Sequence, residues 1–79
     1  MKRKEERIRK MTLKIYLYKN EDAIKKPRFP EFVLNFETDE SAIACFNQLF
    51  KDISFSNNNY IKIGTAIFKK SLFYSATLQ

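Results

Sequence analysis

The chain contains no histidine, one cysteine, one glycine and two prolines in 79 residues. Each shortage closes off a class of chemistry. Without histidine, the commonest general base and the commonest metal ligand are both missing. One cysteine, Cys45, with no histidine cannot build a zinc finger or a Cys–His nucleophile pair. A lone cysteine cannot close an internal disulfide either. That excludes a small disulfide-stapled secreted scaffold and points to a reducing, cytoplasmic setting. A single glycine, Gly64, excludes the glycine-rich loops that cradle phosphates. No apolar run approaches the roughly 18 residues of a membrane span. The stretch from Met11 to Ile15 is interrupted by Lys14 and has no small-residue cleavage site after it, unlike a signal peptide. The inventory predicts no metal, no cofactor, no small-molecule substrate and no membrane association.

What the chain does have is aromatic bulk. Eight Phe and four Tyr bring the apolar share to 44%, enough for a folded globule and too much for intrinsic disorder. The length allows one domain, and a chain this short buries only about 60% of its unfolded surface. The net charge of +6 is unevenly spread. Residues 1–10 carry six basic and two acidic side chains, a net of +4. From Met11 onward nine Lys and Arg face seven Asp and Glu, a net of +2. The arm has one apolar residue, Ile8, and so no face to bury; it reads as disordered. Its Lys, Arg and Glu codons can be purine-only, as in a ribosome-binding site, and Met11 follows a few codons later. We therefore expect translation to start at Met11, which would remove most of the basic character.

From Met11 the pattern has a period of two. Leu13, Ile15 and Leu17 alternate with Lys14, Tyr16 and Tyr18, which predicts a half-buried strand. Residues 20–31, with Pro27 and Pro30 and many charges, read as a loop. Phe32, Leu34 and Phe36 alternating with Val33 and Asn35 predict a second strand. Thr38 is placed to cap a helix whose first turn holds Asp39 and Glu40, where the helix dipole favours negative charge. Ala42, Ile43, Cys45, Phe46, Leu49, Phe50 and Ile53 then form a wide apolar stripe at helical spacing. Ser56-Asn57-Asn58-Asn59 is a turn-forming run. Tyr60 to Ile63 alternates again, Gly64 breaks the pattern, and Leu72 to Leu78 reads as a final strand. The expected fold is α+β, β-β-α-β-β: a small antiparallel sheet with one helix on one face and the third strand open to splitting at Gly64.

Function points to a surface. The carboxylates Asp39 and Glu40 are explained by the helix start, and Cys45 on the apolar stripe by burial. Nothing suggests an enzyme. If Leu13, Ile15, Leu17, Ile61 and Ile63 face the helix, then Lys14, Tyr16, Tyr18, Tyr60 and Lys62 face away, joined by Phe73 or Tyr74 according to register. Aromatics among lysines suit three roles. They can anchor a protein partner, stack single-stranded nucleic acid, or serve as ordinary strand residues in a homo-oligomer. For nucleic acid, Lys25, Lys26 and Arg28 in the loop, with Lys69 and Lys70, would supply the phosphate contacts.

The small size, the abundance of Lys, Ile, Asn, Phe and Tyr, whose AT-rich codons suit a low-GC bacterium or its mobile elements, and the missing catalytic kit resemble accessory proteins of phages and mobile elements. That resemblance lies in general character and in no motif. It implies a steric inhibitor that occupies a surface of a host nucleic-acid-handling machine, such as a CRISPR effector. The first expectation is thus a non-enzymatic binding protein acting by protein–protein contact, with a host protein or a second copy as partner. A single-stranded nucleic-acid binder and a structural homo-oligomer are the alternatives.

Overall fold

Strand β1, Met11–Leu17, follows the period-two reading: Leu13 and Ile15 have no exposed surface, and the alternate residues Lys14 and Tyr16 are half-buried. The structure is a computed structural model that describes residues 11–79. The charged arm, residues 1–10, therefore lies outside the described residues. β1 is the middle strand of an antiparallel three-stranded sheet. On one side it pairs with β2, Phe32–Phe36, in the register Leu13 with Leu34 and Ile15 with Phe32. On the other side it pairs with β5, Phe73–Leu78, with Leu13 opposite Leu78 and Ile15 opposite Ala76. Both registers place apolar residues on the same side of the sheet as Leu13 and Ile15, and there the core forms.

Helix α1, Asp39–Phe55, starts as its sequence predicts. The Thr38 hydroxyl accepts the Ser41 amide at 3.1 Å, and Asp39 and Glu40 occupy the first turn. At the other end no basic residue of the helix offsets its dipole. Lys70, from the turn before β5, donates its ammonium to the Ser56 carbonyl and does so instead. The apolar stripe is wider than the contact it makes. Ala42 and Leu49 are fully buried and Cys45, Phe46 and Ile53 partly so, whereas Ile43 and Phe50 stay exposed.

The break at Gly64 is a chain reversal. β3, Tyr60–Ile63, and β4, Ala66–Lys69, form a hairpin with Ile63 opposite Ala66. Gly64 has φ 59°, and Thr65 does not share the positive sign. A two-residue loop with positive φ at its first position only is the type II′ pattern, whose twist matches paired strands. The single glycine is therefore the residue that makes the hairpin.

The α+β class and the β-β-α-β-β order, with the third strand split, match the sequence reading. The strands do not form one sheet, however. β3 and β4 pair only with each other. Their inner residues Ile61, Ile63, Ala66 and Phe68 join Leu13, Ile15 and Leu49 in one buried cluster. Helix and hairpin thus share the task of covering the inner face of the three-stranded sheet. A lone helix was expected there, but the extra area is needed: the face carries rows from three strands, more than the buried side of one helix can cover.

A tyrosine and lysine sheet face as the candidate site

Alternation sends Lys14 and Tyr16 to the outer side of β1, away from the core. Being central, β1 places Lys14 between Val33 of β2 and Thr77 of β5, and Tyr16 opposite Ser75. Thr12 lies farther along the same face and donates its hydroxyl to Asn35 Oδ1 at 3.0 Å. Among the described residues, no helix or strand lies over this face; α1 and the hairpin both pack on the other side.

A bulge completes the face. Tyr16 pairs with Ser75, but Leu17 pairs with Phe73, so Tyr74 is the extra residue. Without that slip Leu17 would oppose Tyr74, and Phe73 would turn outward. With it, Phe73 enters the core beside Leu17 and meets Phe50 and Phe68, at ring-centroid distances of 5.7 and 6.2 Å. Tyr74 instead meets Tyr18 edge to face, 5.2 Å between centroids at 77°. Such a pair adds about 0.5–1.5 kcal/mol beyond its burial and holds both rings in a set orientation. β1 has ended at Leu17, and the Tyr18 amide donates to the Leu72 carbonyl at 2.8 Å, which anchors the ring's backbone.

The five residues of the expected face do not share one surface. Lys14, Tyr16 and Tyr18 are together on the three-stranded sheet. Tyr60 and Lys62 lie on the outer face of the hairpin, opposite Lys69 and Ile67 respectively. Each outer face points away from the shared core. Tyr60 and Ile67 are the more exposed, at 59% and 57%. The outward direction of all five was legible from alternation, but their division between two sheets was not. Tyr74 belongs to the site on structural grounds, and its place depends on a bulge that no sequence period reveals.

The basic residues divide as well. Lys25, Lys26 and Arg28 are exposed in the loop between β1 and β2. Lys69 is paired with Glu21 at 2.6 Å, and Ser71 donates its hydroxyl to the same carboxylate at 2.8 Å. The hydrogen bond from Lys69, then that from Ser71, holds the Glu21 carboxyl below the usual carboxylate range. The Glu21 carboxylate correspondingly raises Lys69. Lys70 is engaged at the helix end. Two of the five cations expected to meet phosphate therefore already have protein partners.

Little else in the structure supplies chemistry. Cys45 is partly buried against the core, and desolvation pushes its thiol upward, away from the thiolate form that reacts. Among the described residues, no group of three or more His, Cys, Asp or Glu is arranged to hold a metal ion. No described helix is long and apolar enough to cross a membrane. Compared with known proteins, the chain matches no family model, no curated protein and no solved structure.

Proposed function

We propose that this is a non-enzymatic binding protein that acts by protein–protein contact through the outer face of its three-stranded sheet. The observation that carries this reading is a face that no described helix or strand covers, where Tyr16, the edge-to-face pair Tyr18 and Tyr74, and Lys14 lie together. Tyrosines held in place by packing lose little entropy on binding and act as anchors, while a lysine beside them orients a partner. The partner class we favour is a host protein of a nucleic-acid-handling machine, blocked sterically. The small size of the chain and its phage-like or mobile-element character support that class. A cytoplasmic setting goes with it, given a single unpaired cysteine.

Direct binding of single-stranded nucleic acid is the competing reading. Its support is thinner, because Lys69 and Lys70 are engaged elsewhere and Tyr60 and Lys62 sit on a second sheet. Phosphate-driven affinity grows with the number of free cations along one track.

The test uses the full chain as bait in a lysate of a low-GC bacterial host, beside the Tyr16→Ala/Tyr18→Ala double variant and the Tyr60→Ala variant. We expect a partner held by the wild type and by Tyr60→Ala and lost by the double variant, with far-UV circular dichroism unchanged in all three. Capture that survives in the folded double variant overturns the site. Binding of a labelled single-stranded oligonucleotide that weakens steeply with salt would transfer the function to nucleic acid.

A further inference from the structure

We infer that β5 is a self-association edge, and that its partner is the β5 strand of a second copy, joined antiparallel about a two-fold axis at Thr77. This goes beyond the proposed outer-face contact and does not depend on it.

The backbone makes the first case. Thr12 and Gln79 exchange both amide–carbonyl bonds, each at 2.9 Å. In an antiparallel ladder such pairs alternate with unbonded ones. Thr77 and Ser75, opposite Lys14 and Tyr16, therefore also turn their amides toward β1. Ala76 and Leu78 turn theirs the other way, where among the described residues no strand pairs with β5. A two-fold at Thr77 sets Ala76 against the partner's Leu78 and Leu78 against the partner's Ala76. About four new backbone bonds then close, clear of the bulge at Tyr74. A small residue also faces a large one on the inner side.

The side chains make the second case. Natural edge strands protect themselves with lysine, proline or a cover. Phe73–Leu78 has no charge and no proline. The opposite edge, β2, is flanked by the hairpin: Phe68 lies 6.2 Å from Phe32, and Gly64 lies against Leu34. β5 meets the hairpin and the helix through Phe73, at the end of the strand away from the Ala76–Leu78 stretch that would pair.

Two loose ends in the single chain meet at the same edge. Thr77 Oγ1 is shielded from solvent and has no hydrogen-bond partner among the described residues. Under the two-fold, Thr77 faces the partner's Thr77 in an unbonded pair, where a turn about χ1 brings the shielded hydroxyl out to bond its counterpart across the strands. Above the sheet, Phe50 of α1 packs on Phe73 of β5 but remains 38% exposed; Ile43, two turns earlier on the same stripe, is 46% exposed. An axis perpendicular to the sheet keeps both helices on one side, so these two residues line the seam between them. On the other side, the two tyrosine and lysine faces join into one continuous surface.

The test is light scattering of the full chain over a range of concentrations, combined with cysteine cross-linking in a Cys45→Ala background. We expect twice the chain mass at high concentration. Thr77→Cys should oxidise to a linked dimer, because unbonded antiparallel pairs bring Cα atoms to about 4.5 Å, within disulfide reach. Ser75→Cys should not, since Ser75 would face the partner's Gln79. A single-chain mass at every concentration without a Thr77→Cys cross-link overturns the inference. So does a Ser75→Cys cross-link as efficient as that of Thr77→Cys. Tyr16→Ala/Tyr18→Ala should keep the Thr77→Cys cross-link, so loss of partner capture and loss of the dimer are read separately.

Discussion

Replacing Phe73 and Tyr74 by alanine, one at a time, probes the bulge that builds the outer face. The two are adjacent in sequence, and the bulge assigns them to opposite sides of the sheet. Truncating a fully buried phenylalanine costs about 3–5 kcal/mol. Phe73 is only partly buried but touches Phe50 and Phe68, so about 2–3 kcal/mol is expected. Tyr74 loses chiefly its edge-to-face contact with Tyr18, about 0.5–1.5 kcal/mol. A domain of this size is stable by only about 3–10 kcal/mol in total. Phe73→Ala should therefore lower the melting temperature by roughly 10–20 °C, and Tyr74→Ala by roughly 2–10 °C. The assay is urea unfolding followed by far-UV circular dichroism, with the denaturant slope unchanged between variants. Running it at two protein concentrations separates out any self-association. A Tyr74→Ala variant that loses more stability than Phe73→Ala would refute the reasoning. It would mean an unslipped strand, with Tyr74 inside and Phe73 on the outer face.

Gly64→Ala should destabilise by about 1–2 kcal/mol, the price of a left-handed backbone for a residue with a Cβ. The added methyl itself meets Leu34 Cδ1 at an unstrained 3.6 Å; unchanged thermal stability would show that the hairpin does not need its positive φ. Glu21 should titrate below an ordinary glutamate by carboxyl NMR, and Lys69→Met should return it upward. Because its folded value is depressed, the Glu21 contribution is present above the unfolded pKa and lost as pH falls through the folded one. The raised Lys69 contribution is present below the unfolded lysine value and fades as pH rises through the folded one. Both side chains are about half exposed, so the stability readout stays small and the titration is the sensitive measurement.

The residues alone determined the local elements and their inward sides. Leu13 and Ile15 alternate with Lys14 and Tyr16, and a strand has no other way to segregate them. Thr38, Asp39 and Glu40 mark a helix start because free amides there need an acceptor and favour negative charge. Gly64 announced a break because a positive φ is easy only without a Cβ. These are effects within a few residues, so they are readable along the chain.

What the tertiary structure decided is how those faces meet. Tyr60 and Lys62 point outward as their alternation requires, yet they left the site because β3 pairs with β4 and not with the three-stranded sheet. Strand pairing depends on which apolar rows fill one shared core, and many antiparallel orders satisfy the same alternation. Ile43 and Phe50 lie on the helical stripe but remain exposed, since the sheet and hairpin touch only part of it. Tyr74 joined the face through a one-residue slip against β1. A bulge is a compromise between two strands, and it exists only once both are in place.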